Sequence, residues 1–174
     1  MAVNILIIGP SGAGKTYLAT KFKEMGIRAV DADTIDELHG WLDGRGKKVK
    51  FPKGAGKEFL DNHQFLWDRV YLTKYLKKNQ GIWILGLAGN IFEMVDLFDK
   101  VYFLKVRAKV LIERLKSKER ENLMGKTEYQ RKAVVEYARK IEIKAKKLGI
   151  EFVDGGMGAE EIVEELFKIN NSND

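Results

Sequence analysis

The chain has 174 residues, 45% of them hydrophobic and 32% charged, with a formal net charge of +6 at pH 7, which is enough for one compact domain with a real core. No apolar run approaches the ~20 residues a membrane-spanning helix needs, and the opening Met-Ala-Val-Asn lacks the charged and apolar segments of a signal peptide, so no membrane contact and a cytoplasmic location are expected. The absence of Cys excludes disulfides, thiolate metal sites and a cysteine nucleophile, and the pair His39 and His63 argues against a histidine metal site.

The apolar run Val3 to Ile8 reads as a first strand, and Gly9-Pro10-Ser11-Gly12-Ala13-Gly14-Lys15-Thr16 follows it directly, matching G-x-x-x-x-G-K-[ST] without a gap. Phosphates need many donors at close range, and glycines let backbone amides wrap round them with no side chain in the way. Gly9, Ser11, Gly12, Ala13, Gly14, Lys15 and Thr16 are therefore the expected nucleotide-binding set. Lys15 is placed to reach the β- and γ-phosphates, and the Thr16 hydroxyl to ligate the bridging Mg2+. The helix that follows, with Leu18, Phe22 and Met25 at helical spacing, brings its positive dipole end to the loop and stops at Gly26.

Ile27 to Val30 reads as a second strand running into Asp31-Ala32-Asp33. Carboxylates at the C-terminal end of a strand lie on the edge where open α/β sheets take their ligands. If the strand conformation continues, both acids share one side; Asp33 or Thr34 also reads as a helix cap, and one carboxylate can serve both purposes. The glycine- and lysine-rich stretch 43–57 reads as a mobile loop. Within it Asp43-Gly44-Arg45-Gly46 spells the D-x-x-G of GTPases, but it follows no strand and no Asn-Lys-x-Asp comes later, which argues against a GTPase. Glu58 to Lys78 reads as one long helix on Phe59, Phe65, Leu66, Val70, Leu72 and Leu76, with Trp67 and Tyr71 as core in preference to a base-stacking platform. Arg69 within it either pairs with a nearby acid or clamps an acceptor anion.

Ile82 to Leu87 is a third strand, suited to burial on both faces. It ends in Gly86-Leu87-Ala88-Gly89-Asn90, with no acid where a mechanical ATPase carries one, so metal handling shifts towards Asp31 and Asp33, and Asn90 becomes a candidate substrate contact. Val101 to Val106 is a fourth strand, followed by a helix from Lys109 to about Lys118. Residues 116–128 then form a basic, glycine-containing segment between helices that can close over phosphates, with Arg114, Arg120 and Arg131 as candidate cations for the transferring group. Glu151 to Val153 is a fifth strand, turning at Asp154-Gly155-Gly156 into a last helix with Ile162, Val163, Leu166 and Phe167 on one side; residues 170–174 read as a disordered tail. From Lys105 to Lys147 fifteen Lys and Arg face six Glu. Such a stretch suits a solvated helix face laced with ion pairs better than a nucleic-acid surface.

The predicted fold is a three-layer α/β P-loop domain over residues 1–169, with five parallel strands in the order 2-3-1-4-5, a helical acceptor-binding insert at 34–80 and a short lid at 116–128. The P-loop, Asp31-Ala32-Asp33, the insert, the Leu111-Ile112-Glu113-Arg114-Leu115 helix leading into the lid and the Asp154-Gly155-Gly156 turn together resemble the nucleoside monophosphate kinase branch of P-loop proteins, which includes adenylate, shikimate, gluconate and dephospho-coenzyme A kinases. That resemblance implies ATP and Mg2+ as cofactors and transfer of the γ-phosphoryl group to a small hydroxyl or nucleotide phosphate acceptor. It implies Asp31 on the magnesium's waters, Asp33 on the acceptor hydroxyl and a lid cation near Lys118 or Arg120. Taken with the reading of the residues themselves, this makes Lys15, Asp33, Arg114 and Arg120 the catalytic candidates, Thr16 and Asp31 the metal candidates, and Asp33, Arg69 and Asn90 the acceptor candidates. The runner-up is an ATPase switch acting on nucleic acid or a protein, and a non-catalytic nucleotide-binding module comes third. The sequence carries no signal of oligomeric state.

Overall fold

A computed structural model describes residues 2–117 and 123–171. The chain runs β1 (Ile5–Ile8), α1 (Lys15–Glu24), β2 (Ala29–Asp31), β3 (His39–Leu42), β4 (Lys48–Val49), α2 (Lys57–Asn62), β5 (Gln64–Trp67), α3 (Arg69–Lys78), β6 (Trp83–Gly86), β7 (Lys100–Lys105), α4 (Ala108–Lys116), α5 (Glu128–Lys147), β8 (Glu151–Asp154) and α6 (Ala159–Asn171). Five strands form one parallel sheet in the order β2-β6-β1-β7-β8. Counted among themselves these strands run 2-3-1-4-5, and the P-loop strand sits at the centre.

Both faces of that sheet are covered, which is why the central strands β1 and β6 are apolar without a break. All of β1 is buried, and its alternate residues enter different cores. Leu6 and Ile8 join Leu72 and Leu76 of α3 and Ile141 and Ala145 of α5 on one face. Ile5 and Ile7 join Leu18 and Phe22 of α1, Leu111 of α4 and Ile162 and Leu166 of α6 on the other. Three layers result, and the carboxyl ends of β1, β2 and β6 open on the same edge.

The insert differs from its predicted form. Instead of one helix from Glu58 to Lys78 it holds α2, β5 and α3, and β5 joins β3 and β4 in a second, antiparallel sheet of order β4-β3-β5. His63 is extended at the end of α2, and Asp68 caps a new helix by accepting from the Tyr71 amide at 2.9 Å. Within stretch 43–57, residues 43–49 form a turn and strand β4: the Asp43 carboxylate accepts from the amides of Lys47 and Arg45, both at 2.9 Å, and those bonds lower its pKa from the ordinary value. Register pairs His39 with Trp67 and Trp41 with Phe65, so these four side chains share a face. Phe51 and Phe59 cover its outer end, with ring centroids 5.0 and 5.4 Å from Trp41.

At the other end of the chain α6 includes Asn170 and Asn171, so helix replaces the predicted tail at those positions; 172–174 lie outside the described residues. Of the predicted lid, 118–122 also lie outside them. Among the described residues no helix is long and apolar enough to cross a membrane.

Candidate phosphate and acceptor site

The P-loop leaves β1 and wraps back to α1 through two left-handed glycines, Gly12 at φ +86° and Gly14 at φ +97°, a conformation that side chains resist. At Gly12 space is tight as well, since a Cβ there would lie 3.2 Å from Cγ of Leu115. Helix α1 starts with no capping side chain and no acid in its first turn, so neither a cap nor a carboxylate competes with a phosphate for its N-terminal amides. The Lys15 ammonium folds over the loop and donates to the carbonyls of Gly9 and Pro10 at 2.8 and 3.1 Å.

Thr16 and Asp31 meet across the crevice, the hydroxyl donating to one carboxylate oxygen. The other oxygen accepts from the Asp33 amide at 3.0 Å. Asp31 is therefore the cap of the single 3-10 turn Ala32–Thr34, and the predicted capping by Asp33 or Thr34 gives way to it. Because β2 stops at Asp31, the two acids are not placed by strand alternation. Asp31 is buried while Asp33 is exposed at the crevice rim, and the His39 ring nitrogen lies 3.2 Å from the Asp33 carbonyl. Thr16 and Asp31 supply hard oxygen donors. No group of three His, Cys, Asp or Glu converges among the described residues, and this pair fits an ion such as Mg2+ that keeps several waters and takes substrate phosphates.

The insert is fastened to the end of β6 beside these acids. The Gly89 amide donates to the Phe65 carbonyl at 2.7 Å. The Asn90 side chain accepts from the Trp67 amide at 3.0 Å and donates to the Trp67 carbonyl at 2.9 Å. Each end of that amide makes one bond to backbone, so Asn90 braces Trp67 beside the crevice. The Trp67 ring in turn lies on the strand end: a Cβ on Gly86 would be 2.3 Å from its Cζ2 and 2.7 Å from the Ala32 Cβ. Its indole Nε1–H is buried without a partner among the described residues. From α5, the Tyr137 hydroxyl reaches the Ala88 carbonyl at 3.5 Å, and burial pushes its pKa up.

The candidate arginines among the described residues also have partners within the fold. Arg69 turns its fork on Asp96 at 2.8 and 2.6 Å and on the Glu93 carbonyl, the ion pair that was one of its two expected roles. Arg114 lies against the P-loop, donating to the Ala13 carbonyl at 2.9 Å and the Gly155 carbonyl at 3.3 Å; it braces the loop against the β8–α6 turn. Arg131 donates to the carbonyls of Gly125 and Lys126 at 3.2 and 3.0 Å. Arg120 lies outside the described residues. Sequence reasoning missed Gln130, which is fully buried and forms a reciprocal capping box with Thr127; the Thr-x-x-Gln spacing was the signal. The basic stretch is laced with acids as expected, Glu142 pairing with Lys105 and Lys146 at 3.0 and 2.9 Å and Glu128 with Lys132 at 2.9 Å.

No protein-family model and no curated protein matches the sequence. Solved structures do match. The shikimate kinase of Acinetobacter baumannii in complex with shikimate superposes with a TM-score of 0.64 at 17% identity, over 99% of this chain and 95% of that one. The shikimate kinase of Bacteroides thetaiotaomicron gives 0.59 at 18% identity over 97% and 98%, and that of Aquifex aeolicus 0.59 at 19% over 98% and 97%. End to end, the chain has the P-loop kinase fold seen in shikimate kinases, and at these identities the likeness is one of fold.

Proposed function

We propose that the protein is an ATP-dependent phosphotransferase that moves the γ-phosphoryl group of Mg-ATP to the hydroxyl of a small acceptor seated between Asp33 and the insert. The observation that carries this reading is the junction of Thr16, Asp31 and Asp33: a P-loop hydroxyl bonded to a buried carboxylate, with a second, exposed carboxylate two residues on. A nucleotide phosphate as acceptor is the variant of this reading that needs no base.

The P-loop amides and the N-terminus of α1 hold the phosphates, and the Lys15 ammonium moves from the carbonyls of Gly9 and Pro10 to the β- and γ-phosphate oxygens. Thr16 and, through water, Asp31 would hold magnesium, which would supply positive charge to offset that of the phosphates. Asp33 accepts a hydrogen bond from the acceptor hydroxyl and aims its oxygen at phosphorus. As the new O–P bond forms, the bond from phosphorus to the bridging oxygen of ADP breaks and the hydroxyl proton passes to the Asp33 carboxylate, which returns it to solvent. Asn90, Trp67 and Gly86 hold the insert beside these groups, and Arg114 holds the loop. The lid cation, Arg120 by resemblance, would share the charge on the transferring group.

A panel of purified hydroxyl compounds, nucleosides and nucleoside monophosphates, assayed for ADP formation from Mg-ATP, tests the reading. Acceptor-dependent ADP supports it. ADP formation stimulated by RNA and by no small acceptor overturns it in favour of an ATPase switch, which the acids interleaved through α5 disfavour.

A further inference from the structure

Between the P-loop and the insert runs a path of direct contacts that passes through Gln130. Leu115 of α4 packs on two glycines at once: a Cβ on Gly12 would lie 3.2 Å from its Cγ, and a Cβ on Gly125 2.6 Å from its Cδ2. Gly125 is buried in the left-handed region at φ +93°, so the turn before α5 is fixed against Leu115 by space and by backbone. The Gln130 Oε1 then accepts from the amides of Gly125, Lys126 and Thr127 at 3.0, 2.9 and 3.3 Å. Its Nε2 donates to the carbonyl of Ala55 in the insert at 3.0 Å. Three N–H groups on one side and a carbonyl on the other leave the amide one workable orientation, since the flipped form would set donors against donors. Gln130 is 0% and Ala55 4% exposed, so water does not substitute for either bond.

We infer that Gln130 is a positioning residue that ties the insert to the phosphate loop, so that a nucleotide held on the P-loop also fixes the insert in place over the acceptor crevice. This rests on the reading of the P-loop as a nucleotide site. A nucleotide stiffens Gly12 and the loop around it; Leu115 passes that restraint to Gly125, and Gln130 passes it to Ala55. The two halves of the side chain separate cleanly. Gln130→Glu keeps an oxygen for the three amides, as a capping box allows, but removes the N–H and sets a second oxygen against the Ala55 carbonyl.

The test is amide hydrogen exchange, with and without the non-hydrolysable analogue AMP-PNP and Mg2+, on wild type and Gln130→Glu, with nucleotide affinity measured by calorimetry. In wild type the nucleotide slows exchange at least tenfold both at 123–127 and at 52–57. In Gln130→Glu the dissociation constant stays within about threefold, protection at 123–127 persists, and protection at 52–57 is lost. A purely structural glutamine would leave the nucleotide-dependent difference at 52–57 intact. Nucleotide-induced protection of 52–57 in the variant equal to wild type, or none in wild type despite tight binding, overturns the inference and leaves the proposed function standing. Failure of wild type to bind AMP-PNP overturns both. If Gln130→Glu does not fold, Gln130→Met, of similar length and without the N–H to Ala55, takes its place, and nucleotide-induced protection of 52–57 equal to wild type in it overturns the inference.

Discussion

Gly86→Ala tests whether the insert is seated on the sheet edge as closely as the geometry requires. Nothing about the backbone at Gly86 needs glycine by φ; the demand is for space. A methyl there would stand 2.3 Å from Trp67 Cζ2, 2.7 Å from Trp67 Cη2 and 2.7 Å from the Ala32 Cβ, where carbon atoms ordinarily approach to about 3.5–4.0 Å. The ring must retreat by more than about 1 Å, against a core position that is 3% exposed and a backbone that Asn90 clamps at both ends. Overpacking of this kind costs about 1–3 kcal/mol, which for a chain of this size lowers Tm by about 2–12 °C. The chemical cost is of similar size, because Ala32 is the residue between Asp31 and Asp33, and a misplacement of about 1 Å lowers turnover by about 10²-fold, or about 2.7 kcal/mol. Gly44→Ala is the control, since a Cβ there meets nothing within 4 Å and should change stability by no more than about 0.5 kcal/mol. Thermal unfolding and acceptor-dependent ADP formation measure both effects. A Gly86→Ala protein that melts within a degree of the Gly44→Ala control and turns over normally would refute the close packing of Trp67 on the strand end.

Lys15→Ala should weaken nucleotide binding and lower turnover more than tenfold, about 1.4 kcal/mol or more, as read by calorimetry and steady-state kinetics. Asp33→Asn should leave Tm and ATP affinity near wild type, because Asp31 and not Asp33 caps the turn, while phosphoryl transfer drops at least ~10²-fold; a low-melting protein of normal specific activity would make Asp33 structural. Asn90→Ala strips two bonds from the Trp67 backbone and should cost about 2–4 kcal/mol in denaturant unfolding. Tyr102 is buried in β7, and burial, helped by Glu151, pushes its pKa to about 12. Its folded value exceeds the unfolded one, so its contribution is complete below pH 10 and is lost as pH rises towards 12, by at most about 2.7 kcal/mol. Tyr102→Phe should unfold with a shallower loss of stability across that window than wild type, and parallel curves would contradict the assignment.

The central sheet was legible because its signals are local. Strand β1, the P-loop and α1 form one uninterrupted stretch, and the two-residue alternation of Ile5 to Ile8 follows from period alone. The insert was not, because the positions Phe59, Phe65, Leu66, Val70, Leu72 and Leu76 fit a helical period by coincidence, while β5 is held by β3, more than twenty residues earlier. The local clue was Asp68, a capping residue in the middle of the supposed helix. The roles of Asn90 and Arg114 were out of reach for the same reason: their partners are 23 and 101 residues away in sequence. Both side chains bond backbone from another part of the chain, and composition alone does not reveal such long-range partners. The Asp31-Ala32-Asp33 pair was found for its place at a strand end, though the turn that separates the two acids is set by Asp31 itself.

The central claim is phosphoryl transfer to an acceptor oxygen, and the fate of labelled phosphate measures it most directly. Wild type, Lys15→Ala and Asp33→Asn are each incubated with [γ-32P]ATP, Mg2+ and a small-molecule extract, and the products are separated into inorganic phosphate and organic phosphate esters. The account predicts label in a discrete ester with wild type, and reduction of that product by more than tenfold with Lys15→Ala and by at least ~10²-fold with Asp33→Asn. Label found solely as inorganic phosphate with wild type, at a rate that Asp33→Asn leaves unchanged, would contradict it.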